Sequence, residues 1–183
     1  MTGTRPGSRW LPLAILLAVS APAEARWSPG AGQRIAQDWE LIRQAAWVAG
    51  LEPRHATVLA ALVAHETHYR PLHGGRRGCC WGPGQVSWGS WGELLRRHHV
   101  AQEPEDLLDE YTGLLAAAMV LAQLQRRYGR SLEITLCMYG AGPQALRWRT
   151  DCQYSRAVMA NLPRVQAALW SLPGPVHVAG EVL

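Results

Sequence analysis

The 183-residue chain has no phenylalanine and no lysine. All 18 basic residues are arginine, which reads as a GC-rich coding bias rather than a selection for arginine chemistry. The arginines gather only in short pairs: Arg76-Arg77, Arg96-Arg97 and Arg126-Arg127. A nucleic-acid partner calls for a clustered basic surface, so none is expected. Long apolar runs are missing as well. The clearest, Leu11 to Val19, is about half the roughly 20 residues that cross a bilayer. No internal repeat and no alternating strand pattern is present, and no C-x-x-C offers zinc-ligand spacing.

What is there begins with the N-terminus. Arg5 and Arg9 precede the apolar run, and Ala23-Glu24-Ala25 follows it as a small-x-small cleavage site. Residues 1–25 therefore read as a secretion signal, with an uncleaved anchor as the alternative. The mature chain would begin near Arg26, periplasmic or secreted, with no stable membrane anchor after cleavage. The net charge is +4; Arg5, Arg9 and Glu24 account for +1 of it, leaving +3 on the mature part. A mildly basic protein suits an anionic polymer.

Four cysteines, Cys79, Cys80, Cys137 and Cys152, form an even set, which in an exported chain points to disulfides rather than a metal site. Adjacent Cys79 and Cys80 fit disulfide geometry poorly if bonded to each other. Each is therefore expected to pair with Cys137 or Cys152, with the connectivity open.

Helical spacing dominates the remainder. Residues 26–32 read as a flexible Pro/Gly leader, 33–172 as one domain and 173–183 as a loose tail. Ile35, Trp39, Ile42 and Ala46 mark a first helix ending near Gly50. Pro53 opens a second, with Val58, Leu59, Leu62 and Val63 on one face. Residues 71–87 read as a loop. Helices follow over 88–99, 104–108, 112–128, 132–139, 152–161 and 163–170. The apolar positions of 112–128 surround much of its circumference, which makes it the buried central helix. The fold class is mainly α, a single helical domain.

Glu66 lies four residues after Leu62 and three after Val63, so it continues an apolar face. Burial raises a carboxyl's pKa and makes it a proton donor. The alternative is a structural carboxylate paired with Arg70. His65-Glu66-Thr67-His68 has some likeness to a zinc-peptidase motif, but its histidines are three apart where that chemistry needs four. His73 could extend such a set, yet the reading stays without metal or cofactor.

Three further segments follow in order. They are Gly82-Pro83-Gly84-Gln85-Val86, then Cys137-Met138-Tyr139-Gly140-Ala141-Gly142-Pro143, then Tyr154 with Val158. Together with Glu66-Thr67 they resemble the soluble lytic transglycosylase family, across residues 54–165. That family carries a helix-ending Glu-Ser, then Gly-Leu-Met-Gln, Ala-Tyr-Asn-Ala-Gly-Pro and a late Tyr-Val. The resemblance implies a lysozyme-like fold acting on peptidoglycan glycan strands, in the service of a secretion or conjugation apparatus or of wall turnover. Position by position, Glu66 corresponds to the catalytic glutamate and Gln85 to the glutamine lining the sugar cleft. Tyr139 corresponds to the tyrosine whose hydroxyl approaches the carboxylate, and Tyr154 to a second cleft tyrosine. Tyr139 and Tyr154 could instead be core aromatics, and Gly82 and Gly84 simple turn residues.

The chain departs from the pattern at several points. Thr67 replaces serine, Pro83 and Gly84 replace Leu and Met, Gly140 replaces asparagine, and Arg76 stands where a serine is frequent. Trp81, Trp88 and Trp91 crowd the cleft region, either stacking on sugars or packing the core. No second carboxylate accompanies Glu66: Asp106, Asp109 and Glu110 lie in another segment and Asp151 in a loop. Ordinary glycosidases use two. In the resembled family one suffices, because the muramic C6 hydroxyl attacks internally and leaves a 1,6-anhydro end. A lysozyme-type hydrolase, a non-catalytic wall-binding module and, more remotely, a zinc peptidase are the competing readings.

Overall fold

A computed structural model describes Trp27 and residues 30–70, 79–147 and 152–172. The signal segment, His73, Arg76, Asp151 and the tail lie outside these residues. The described part is mainly α, as the periodicity implies.

Helix α1 (Ala31–Val48) buries Ile35, Trp39, Ile42, Ala45 and Ala46 along one stripe. It begins inside the segment expected to be a flexible leader, because Ala31 is already fully buried and the Arg34 N–H bonds the Gly30 carbonyl at 3.2 Å. Helix α2 (His55–Thr67) is buried from Val58 through Ala64. It stops at two left-handed non-glycine residues, His68 (φ 54°) and Tyr69 (φ 66°). Such conformations persist where neighbours hold them. Here the Arg34 guanidinium donates to the His68 carbonyl at 2.8 and 3.2 Å, tying the end of α2 to α1.

The segment expected to be only loop holds a small antiparallel pair, β1 (Cys80–Trp81) with β2 (Val86–Ser87). Strands of two residues are too short to show the period-2 alternation that marks a strand in sequence. Helix α3 (Trp88–Arg97) follows, then a 3₁₀ turn at Pro104–Leu108 in which the Asp106 carboxylate accepts from the N–H groups of Gln102 and Glu103 at 2.7 and 3.1 Å.

Helix α4 (Glu110–Tyr128) is capped by Asp109, whose carboxylate accepts from the Thr112 N–H at 2.9 Å. It is buried from Ala116 through Ala122 and packs against α1, α5 (Leu132–Ala141) and α2. It is the central helix. The chain closes with α6 (Gln153–Met159) and α7 (Leu162–Trp170), which pack on α2, α7 also on α1.

The cysteine pairing differs from the expectation. Cys79 bonds Cys80, and Cys137 bonds Cys152. Packing of α5 on α6 brings the Cα atoms of Cys137 and Cys152 to 5.9 Å, an ordinary disulfide span, so these two satisfy each other. Cys79 and its neighbour Cys80, at the start of β1, are then left to close on themselves. Two disulfides, and no helix among the described residues long and apolar enough to cross a membrane, are compatible with an extracytoplasmic location.

Candidate active site

The end of α2 carries the site. Glu66 occupies the last turn and is half-buried. The next residue, Thr67, is 2% exposed and locks the end of α2 to the turn between β1 and β2. Its hydroxyl donates to the Pro83 carbonyl at 2.8 Å and accepts from the Arg70 N–H at 3.2 Å. The serine-to-threonine departure therefore keeps the one group that matters.

The turn itself is shaped by close approach. Gly82 has φ 72°, and a Cβ there would strike the Leu107 carbonyl. A Cβ on Gly84 would lie 2.5 Å from the Ala117 Cβ, so a methionine-like side chain has no room. Gln85 ends the turn at φ 49°, with its own N–H and its side-chain amide each donating to the Gly82 carbonyl at 3.1 Å. A left-handed non-glycine residue lining a cleft is strain of the kind found at functional sites.

Tyrosines from two helices converge on this turn and on Glu66. Tyr139, near the end of α5, donates its hydroxyl to the Gly84 carbonyl at 2.7 Å. Tyr154, in the first turn of α6, donates its hydroxyl to Glu66 Oε1. The direct partner of the carboxylate is thus Tyr154, and the approach expected of the Tyr139 hydroxyl is spent on the turn. The reason is local. Gly140 lacks a side chain, and the Tyr154 ring fills that space; a Cβ on Gly140 would sit 2.7 Å from it. His65 packs edge-on against the same ring, with centroids 5.1 Å apart.

These contacts set the electrostatics. Burial raises the Glu66 pKa above that of an ordinary glutamate, opposed by the Tyr154 hydrogen bond. Burial and the Glu66 charge push both Tyr139 and Tyr154 well above the usual phenol value, so both remain donors. Burial lowers the His65 pKa, with His68 adding to it, and keeps the ring neutral at higher acidity than usual. Arg70 makes no ion pair with Glu66 among the described residues, and its side chain is exposed.

A cleft of about 330 Å³ opens over Glu66, lined also by Gln85, Tyr139 and Tyr154. All four residues singled out in the sequence meet in this one cavity. Glu66 is the only carboxyl on its wall among the described residues, and residues 71–78 contain no Asp or Glu. Trp91 lines the cleft, whereas Trp88 packs over Gly92 and under the Arg96 guanidinium. Cys79, Cys80 and Ser87 also line it, and of these Ser87 is the one sequence reasoning missed.

Chemically, the arrangement offers one carboxyl of raised pKa, hydrogen-bonded by a phenol and open to the cleft. No three His, Cys, Asp or Glu side chains converge to hold a metal among the described residues. Compared with known proteins, the chain matches no family model and no curated protein.

Proposed function

We propose that this protein is an exported peptidoglycan lytic transglycosylase, with Glu66 as its single general acid and base. The observation that carries the reading is a half-buried carboxyl in the cleft wall, hydrogen-bonded by Tyr154 and unaccompanied by a second acid among the described residues. Two-carboxylate hydrolysis needs a partner about 5–9.5 Å away. A single carboxyl of raised pKa suits a reaction in which the substrate brings its own nucleophile.

In that reaction Glu66 gives its proton to the glycosidic oxygen of the MurNAc-GlcNAc β-1,4 bond as the bond to C1 breaks. The resulting carboxylate then accepts the proton of the MurNAc C6 hydroxyl, whose oxygen bonds to C1. The products are a free GlcNAc 4-hydroxyl and a 1,6-anhydro-MurNAc end. No water is consumed and no cofactor is required. Tyr154 orients the carboxyl through both proton transfers. Gln85 and Tyr139 border the sugar path, Gln85 through its strained turn and Tyr139 by pinning that turn.

Digestion of purified sacculi tests this. Soluble muropeptides with anhydro ends are the expected product. Reducing ends in their place mean lysozyme-type hydrolysis by the same residue, and binding without release means a wall-binding module. Glu66→Gln is expected to lose about 10²- to 10⁴-fold in rate, the usual contribution of a positioned acid–base group. Full activity in that variant refutes the assignment of Glu66.

A further inference from the structure

A disulfide stabilises mainly by removing freedom from the unfolded chain, and the effect grows with the loop it closes. Cys137–Cys152 fits that role, because it spans 15 positions and staples α5 to the start of α6. Cys79–Cys80 does not. Its residues are adjacent, so it closes no loop and joins no two elements. It is not buried either: Cys79 is exposed and Cys80 only half-buried. What the bond does accomplish is local. It replaces two ionisable, mobile thiols with one apolar ring of fixed position, and that position is the wall of the Glu66 cleft.

The rest of the cleft lacks such a surface. Gly140 presents no side chain, and its position has no room for one. Val86 and Val120 line the cavity but are each 1% exposed. Glu66, Gln85, Ser87, Tyr139 and Tyr154 supply the polar groups. Among the described lining residues, the apolar groups that carry no hydroxyl and are open to a ligand are the disulfide and the half-buried Trp91. A pyranose ring has the matching character, with a C–H face and a hydroxyl edge.

We propose that the Cys79–Cys80 disulfide ring, together with Trp91, is the apolar seat for a sugar ring of the glycan beside Glu66. The inference rests on the glycan reading of the cleft, and deepens it by naming a contact surface. Gln85 and Ser87 meet the hydroxyl edge while the seat takes the face. The bond is thus part of the binding surface and not of the scaffold.

Calorimetric titration of a β-1,4-linked N-acetylglucosamine oligomer into Glu66→Gln protein tests the seat without requiring catalysis. Adding Cys79→Ser and Cys80→Ser together is expected to raise the Kd about five- to tenfold, the loss from withdrawing roughly 50 Å² of apolar contact. The melting temperature should stay unchanged, since no loop is opened. Trp91→Ala, which leaves the bond intact, is expected to weaken binding by a similar factor. On sacculi, the double cysteine variant with Glu66 retained should raise KM and leave kcat within about twofold. Unchanged Kd in either variant, no oligomer binding by the parent protein, or a fall in kcat at constant KM overturns the proposal. Oligomer binding by the Glu66→Gln protein, together with no release from sacculi by the protein with Glu66 retained, refutes the cleavage reading and leaves the seat standing.

Discussion

Replacing Thr67 with valine removes one hydroxyl from the join between α2 and the Gly82–Gln85 turn and keeps the side chain's shape. The hydroxyl donates to the Pro83 carbonyl at 2.8 Å and accepts from the Arg70 N–H at 3.2 Å. Thr67 is 2% exposed and Pro83 is buried, so no water replaces the donor to that carbonyl without rearrangement. Arg70 is exposed, and its N–H can turn to solvent. The cost is therefore close to that of one unsatisfied buried acceptor, about 1–3 kcal/mol. For a chain of this size that is a fall of roughly 2–12 °C in melting temperature. Scanning calorimetry reads the effect directly. Thr67→Ser keeps the hydroxyl and loses one buried methyl, a loss of about 0.8 kcal/mol. The damage should also reach glycan release, because the same bond sets Glu66 against Gln85. A valine variant melting within about 1 °C of the parent, or a serine variant as damaged as the valine one, refutes this reasoning.

Gly140→Ala brings a Cβ to 2.7 Å from the Tyr154 ring and should cost about 1–3 kcal/mol as overpacking, with a larger loss of activity than of stability; melting and turnover measured together check it. Removing the Cys137–Cys152 bond by double serine substitution should cost about 3 kcal/mol, read by denaturant titration, in contrast to the neutral Cys79–Cys80 pair. Tyr154→Phe deletes the one bond that lowers the Glu66 pKa, so the alkaline limb of the pH–rate profile should move to higher pH. Stability should follow the sign of the same shift. Glu66 has a raised folded pKa, so above its unfolded value of about 4.3 the unfolded chain ionises first and stability is lost as pH rises toward the folded pKa. Glu66→Gln should therefore gain in melting temperature relative to the parent at neutral pH, and that advantage should shrink below pH ~4.

The helices were legible because each buries a stripe of its own sequence: Ile35, Trp39 and Ile42 on α1, and the full circumference of α4. Glu66 was legible for the same reason, as a carboxyl continuing an apolar face. What escaped depends on atoms far apart in the chain. The β1–β2 pair is two residues a side, below the length at which alternation registers. The cysteine partners follow from α5 packing on α6, which no spacing encodes. The acceptor each tyrosine hydroxyl takes, the Gly84 carbonyl for Tyr139 and Glu66 for Tyr154, follows from packing between segments far apart in the chain. Gly84 and Gly140 read in sequence as lost side chains; in the fold each makes way for a neighbour, Ala117 in one case and the Tyr154 ring in the other.

The place where α2 stops has an electrostatic consequence. The left-handed pair His68 and Tyr69 ends the helix immediately after Glu66 and Thr67, so the carboxyl stands in the final turn. Peptide dipoles sum along a helix to about half a negative charge at its C-terminal end. A carboxylate there meets like charge, where the same residue in a first turn would be stabilised. The helix end thus adds to burial in favouring the protonated acid. Lengthening α2 by even one turn would weaken that field at Glu66 without touching a single residue of the cleft wall.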